Sequence, residues 1–378
     1  MRLPKGWNPA LAADLLRDTS IEVADPAAAS SEASVVKGVW PGVRMARGAD
    51  PDAGPTGVAW VDSNGWLARL TSARRPGTPV WIDAPPEGNR RFTADSYMIT
   101  IADSAAYGAR WVISLDDTLA AALADKQPAA LATWQRIAAA ARFFADRPQW
   151  PQWKPEAVVG VVSDFTGKNE FMGQELLNLL DRAGQHFRIV LRDQVSAESF
   201  AGLRAVICVD QEPPSAVLRR QVLAFVEAGG MLIASKTWGE APGKPAQAQT
   251  YPRYSERVLG KGRVALADDD PDDPYVLAND SVVMVSHRYD LVRCWNSGAF
   301  ASHYTVAPDR TRAVVHLLFY AGRGPDAASV RVTGRWRAAS ISTVDEPAPR
   351  PVKLASQKDA VEVYLPQVSQ YVALQLEG

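Results

Sequence analysis

Cysteine is nearly absent from this sequence: 378 residues contain only Cys208 and Cys294, in separate segments. Two isolated thiols make no disulfide framework, and Cys208, inside the apolar run from Ala205 to Val209, reads as a small core hydrophobe. Histidine is sparse too, with four residues and none before His186. The residues before it therefore hold neither a Ser-His dyad nor a His-built metal site, and no G-x-S-x-G turn supplies a nucleophilic serine. His316, within an apolar run, reads as a core histidine. No apolar run nears the roughly 20 residues that span a bilayer, so no membrane partner is expected. Nor is there a basic excess: 41 Lys and Arg against 42 Asp and Glu leave a net charge of -1, which removes the electrostatic footing of a nucleic-acid binder. The acidic stretch from Asp268 to Asp273 lacks the glycine and closing glutamate of a calcium loop. Met1 to Pro9 carries positive charge with no apolar stretch behind it, so no signal peptide is expected at this start and the compartment stays open.

What is present is a globular balance, 47% apolar and 22% charged residues, in a length that suits two or three domains of roughly 100 to 150 residues. Between Ser20 and Asp117, short apolar runs ending in acidic or arginine residues recur: Ile21 to Asp25, Val43 to Arg47, Pro79 to Asp83 and Trp111 to Asp117. Helices are expected over 31–40, 58–73, 94–107 and 128–146, and before them from Asn8 to Asp18, where Asn and Pro suit a first turn. Strands alternating with helices predict a parallel sheet with helical crossovers. Four such units are half of an eight-stranded barrel. Residues 1–147 are therefore expected to form a partial TIM-type (β/α) barrel, about the last four strand-helix units of a larger enzyme, with little activity alone.

A proline-aromatic connector from Pro148 to Pro155 marks a change of domain. Residues 148–246 carry apolar runs at 157–162, 187–191, 205–209 and 231–234, alternating with helical segments at 171–183 and 215–228. That pattern predicts a flavodoxin-like, doubly wound sheet. Residues 247–378 read as an irregular connection followed by short, β-branched runs at 313–320, 329–332, 360–365 and 371–376, an antiparallel β-sandwich. The fold class is α/β with an all-β tail.

Catalytic groups of barrels stand at the carboxyl ends of strands. Those positions hold Asp25, Arg44, Arg47, Asp83, Asp116 and Asp117, and Glu87 lies four residues beyond Asp83, behind the stiff Pro85-Pro86 pair. Glycoside cleavage uses two carboxyl groups flanking the bond, which makes Asp83 and Glu87 the candidate catalytic residues. Asp116, Asp117, Arg44 and Arg47 are candidate substrate contacts, as is Trp81, whose indole face suits a sugar ring. The same residues have structural uses: Asp117 or Thr118 fits a helix N-cap, and Trp40, Trp60, Trp66, Trp81 and Trp111 fit a core as well as a binding face. In the middle domain Cys208 lacks the flanking glycines of a nucleophile turn, and the loop Asp164 to Asn169, with one Gly and one Lys, reads as a structural turn. No metal or cofactor is expected.

The segment Gly77 to Asp117, with Pro-Val-Trp-Ile-Asp-Ala-Pro-Pro-Glu and Tyr-Gly-Ala-Arg-Trp-Val-Ile-Ser-Leu-Asp-Asp, resembles the last two strand-helix units of barrel glycoside hydrolases. Val158 to Trp238 is similar to the amidotransferase-like trimerisation domain that follows the barrel in some β-galactosidases. The runs Val315 to Tyr320 and Val363 to Pro366 look like the small β-sandwich that closes those enzymes. The resemblance implies a carbohydrate substrate and a homo-oligomer formed through the flavodoxin-like domain. It also implies an acid/base Glu at the end of strand four and a nucleophile Glu at the end of strand seven. Counting the visible strands as five to eight, the acid/base has no counterpart here. Strand seven is then Thr78 to Asp83, which ends in Asp, with Glu87 offset by four residues. Two readings follow: a glycoside hydrolase-like protein acting through barrel-mouth carboxylates, or a non-catalytic carbohydrate-binding or assembly module.

Overall fold

Val35 and Val36, β-branched and stiff at χ1, lie in a strand, β1 (Ser34–Lys37), where a helix is expected over 31–40. The computed structural model describes residues 1–378 except 8, 30, 31, 44–51, 54–60, 250 and 321–323. β1 pairs in parallel with β2 (Val80–Asp83), and β2 pairs in parallel with β3 (Arg110–Trp111). Pairing with β2 overrides helical propensity here, which is a weak preference against tertiary context. Among the described residues β1 and β3 have no further partner, so the sheet is open on both sides. The expected strand Ile21 to Asp25 belongs to no ladder among the described residues; Ala24 N donates to Met1 O at 2.9 Å. Of the expected strand Val43 to Arg47, residues 44–47 lie outside the described residues, as do Asn8 and Trp60.

Helices α1 (Gly65–Arg74) and α2 (Ala94–Ala105) connect these strands, and α3 (Asp117–Ala124) and α4 (Pro128–Ala145) follow. Their starts follow from the sequence: Thr93 Oγ1 accepts from Ser96 N at 3.1 Å, and α4 opens with proline in its first turn. α1 begins later than expected because Val61–Asp62 pairs with Gly42–Val43 in an antiparallel ladder.

The chain divides into two compact units, residues 1–155 with 292–378, and residues 156–291. The β-rich C-terminal residues thus belong with the N-terminal ones instead of standing as a separate body. Ile82, Tyr97, Trp134 and Phe143 share one hydrophobic core with Leu318, Tyr320 and Tyr371. Each such fully buried apolar side chain contributes roughly 1.5–3 kcal/mol. In this unit a six-stranded sheet includes Phe300–Val306, Arg312–Phe319, Ala338–Ser342 and Tyr371–Glu377, and a four-stranded sheet includes Val292–Trp295, Ala328–Thr333 and Ala360–Leu365.

In the second unit β4 (Val159–Ser163), β5 (Phe187–Leu191), β6 (Ala205–Cys208) and β7 (Met231–Ala234) are parallel, with α5 (Glu170–Arg182) and α6 (Ala216–Glu227) between them. Every residue of β4 is buried, as its unbroken apolar run requires of a strand covered on both faces. The segment from 247, expected as an irregular connection, instead supplies β8 (Tyr254–Leu259) and β9 (Gly262–Ala267), a hairpin whose second strand pairs in parallel with β7. The strand order is β5-β4-β6-β7-β9-β8, and Lys244–Pro245 extends it beyond β8. Asp273, last of the acidic stretch, caps the helix Pro274–Val285 by accepting from Tyr275 N at 2.8 Å.

Candidate functional site

Register brings Lys37, the last residue of β1, beside Asp83, the last residue of β2. Paired positions on parallel strands project to one face, so both side chains leave the sheet on the same side. Beyond the carboxyl ends of these strands lies a cleft of about 680 Å³, lined among others by Lys37, Trp40, Asp62, Asp83, Glu87 and Arg90. Asp83 and Glu87, the candidate catalytic pair, therefore meet in one cleft. Arg2 forms an ion pair with Asp83 Oδ2, while Oδ1 is buried and accepts no hydrogen bond from the protein. The carboxylate is therefore held by Arg2 through one oxygen, with the other shielded from solvent. Glu87 is exposed, on the loop that leaves Pro85-Pro86.

Trp40 builds part of the wall. It stacks on Phe92 with ring centroids 3.6 Å apart and an interplanar angle of 18°, and its Nε1 donates to Ala84 O at 2.9 Å, which holds the chain just after Asp83. Behind the wall lies a buried polar network. Asn64 takes both backbone groups of Val39, accepting from Val39 N at 2.9 Å and donating to Val39 O at 2.9 Å. Asp103 accepts in turn from Asn64 N at 2.8 Å, Asn64 Nδ2 at 3.0 Å and Tyr320 Oη at 2.6 Å. Burial raises the Asp103 carboxyl to about 6, against these donors, which all lower it. Gly38 completes the fit: a Cβ there would stand 2.2 Å from Ile82 Cγ2 and 2.7 Å from Asn64 Oδ1.

The other expected contacts are not gathered here. Asp116 is the N-cap of α3, its Oδ1 accepting from Leu119 N at 3.0 Å and its Oδ2 from Tyr97 Oη at 3.2 Å and Phe92 N at 3.3 Å. Asp117 is exposed in the first turn of α3. Trp81 lines a different cavity, of about 630 Å³, that also includes Trp111 and Ile21. Asp25 accepts from Ala27 N in a local turn, and Arg44 and Arg47 lie outside the described residues. Lys37, Asp62 and Arg90 are lining residues that sequence reasoning missed, and Trp40, which it left open between core and binding face, lines the cleft. Val61-Asp62 carries the same apolar-then-acidic signature as the other strand ends, hidden by the helical pattern expected over 58–73.

In the second unit the carboxyl ends of β4–β7 are closed by their own side chains. Asn169 Nδ2 donates to Asp164 Oδ1 at 3.2 Å and Glu212 Oε2 at 2.8 Å, Asn169 Oδ1 accepts from Gln211 N at 2.8 Å, and Arg192 pairs with Asp210 at 2.8 Å. Burial pushes the Cys208 thiol well above its ordinary value, so no thiolate nucleophile forms. His316 is fully buried and lowered to about 3 by burial, with Nδ1 2.7 Å from Tyr371 Oη: a neutral core histidine. Among the described residues no group of His, Cys, Asp and Glu is arranged to hold a metal, and no helix is long and apolar enough to cross a membrane.

Solved structures of similar fold are glycoside hydrolases. An α-L-fucosidase isoenzyme 2 from Paenibacillus thiaminolyticus matches with a TM-score of 0.55 at 13% identity, over 83% of this chain and 62% of its own. A β-galactosidase from Bacillus circulans sp. alkalophilus matches at 0.56 and 10%, over 83% and 58%, and a rhamnosidase from Novosphingobium sp. PP1Y at 0.53 and 10%, over 93% and 35%. The chain thus spans less than two thirds of the length of each. At these identities the likeness is one of fold: a mixed α/β chain with several sheets, like barrel glycoside hydrolases. No protein-family model matches the chain, and no curated protein sequence does.

Proposed function

We propose that this chain is the C-terminal portion of a barrel glycoside hydrolase acting on a carbohydrate in the cleft beyond β1 and β2. The carrying observation is Asp83: it stands at the carboxyl end of the central strand, is fixed by Arg2 through one oxygen, and lines a cleft shared with Glu87. Asp83 supplies the fixed carboxylate and Glu87 the second carboxyl group that glycoside cleavage requires. Three parallel strands do not close a barrel, so the proposal includes further strand-helix units to complete the catalytic face. A panel of aryl glycosides tests it. The isolated chain should give little turnover, and in the full gene product Asp83→Asn and Glu87→Gln should each abolish most of it. Activity that survives both substitutions would make these carboxylates structural.

A non-catalytic assembly role is favoured for the second unit. Its parallel strands run in the order second, first, third, fourth, fifth, which supports a flavodoxin-like reading. The rim where such sheets bind ligands is filled by the Asp164–Asn169–Glu212 and Arg192–Asp210 contacts. Phe171 on α5 is 68% exposed, and Tyr275 and Val283 on the helix packed against α5 are 52% and 54% exposed, apolar side chains available to a second copy. Sedimentation of the intact protein should show an oligomer that Phe171→Glu weakens, and an unchanged mass would remove this role.

A further inference from the structure

Resting on the carbohydrate reading above, we propose that the cleft selects an acidic saccharide, one carrying a carboxylate or sulfate, through Lys37 and Arg90. Lys37 closes β1 beside Asp83, and Arg90 ends the loop that leaves β2; both line the cleft. Neither side chain has an ion pair or hydrogen bond among the described residues. Asp83 does not need them, because Arg2 already pairs with it. Two cations therefore stand without an ion pair in a cleft that also holds Asp62 and Glu87, while Asp83 is matched by Arg2. An uncharged sugar offers such groups only hydroxyl oxygens and must still strip their water. An anionic substituent repays that cost: the planar guanidinium of Arg90 can meet a carboxylate or sulfate with two parallel hydrogen bonds, and the Lys37 ammonium adds a point charge. Trp40, stacked on Phe92, gives the sugar ring an apolar wall.

Titration calorimetry on the full gene product tests this with three probes: an oligogalacturonate, a sulfated galacto-oligosaccharide and an uncharged galacto-oligosaccharide. At least one acidic probe should bind roughly tenfold or more tighter than the uncharged one, and Lys37→Ala and Arg90→Ala should each weaken it by about tenfold. Added salt should weaken the acidic probe alone. Whichever acidic probe binds better identifies the substituent as carboxylate or sulfate. Equal binding of the uncharged probe, or acidic binding untouched by both substitutions, overturns the acidic preference and leaves the carbohydrate reading standing. Failure of all three to bind a full gene product that is folded by circular dichroism overturns the carbohydrate reading and this proposal with it. Both side chains are exposed, so the variants keep the fold.

Discussion

Replacing Asp103 by asparagine should remove a pH dependence of stability whose direction separates a buried charge from an ordinary paired carboxylate. Asp103 is fully buried, and burial raises its carboxyl from 3.8 to about 6 although Tyr320 and both donors of Asn64 favour the ion. Between those two values the folded chain holds a proton that the unfolded chain has released. Stability therefore falls as pH rises through this window, and is level below and above it. A displacement of this size is worth roughly 3 kcal/mol. Asparagine keeps a carbonyl oxygen for the two Asn64 donors and turns its amide to Tyr320 Oη, but does not ionise. Urea unfolding of both proteins from about pH 4 to about pH 7.5 measures the difference. The stability of the native chain relative to Asp103→Asn should drop by roughly 3 kcal/mol over that range, mostly below about pH 6. A difference that is constant, or that grows with pH, would refute the reasoning, since the three donors would then outweigh desolvation. Asp103→Ala should be far worse at any pH: it strands three buried donors at roughly 1–3 kcal/mol each.

Gly38→Ala should destabilise the first unit by about 1–3 kcal/mol or more in a thermal melt, because its Cβ would meet Ile82 and Asn64 at 2.2 and 2.7 Å. Asp116→Ala removes the cap of α3 and the partner of the Tyr97 hydroxyl, and should cost about 2–4 kcal/mol in denaturant unfolding. His316 should show no imidazole titration by NMR from about pH 4 upward, since burial lowers it to about 3. Because its folded value is depressed, its share of stability is full above the ordinary histidine range and is lost as pH falls through it, so acid unfolding of His316→Phe should be shallower than that of the native chain.

The strand Val80–Asp83, the helices Ala94–Ala105 and Pro128–Ala145, and the strands of the second unit from Val159 to Ala234 are legible in the sequence. Each carries a strong period, an unbroken apolar run or a capping residue within a few positions of its end. Ser34–Lys37 and the hairpin Tyr254–Ala267 are not, because a four-residue strand has too few positions to declare a period and a hairpin with charged edges reads as loop. Their strand character comes from partners about fifty residues away in one case, and from β7 in the other.

The sequence alone decided that acidic side chains would end apolar strands, and so brought Asp83 and Glu87 forward as candidates. It also decided that Cys208 and His316 would be inert, since burial follows from the apolar runs that contain them. Tertiary structure alone decided which acids share a space. Asp116 turned inward to cap a helix, Trp81 turned to another cavity, and Asp62, Lys37, Trp40 and Arg90 joined Asp83 and Glu87 around the cleft. The reason is that spacing along the chain reports which face a residue takes on its own element, whereas the neighbours across a cleft are set by the register between strands and by the ladder that returns Asp62 to Gly42.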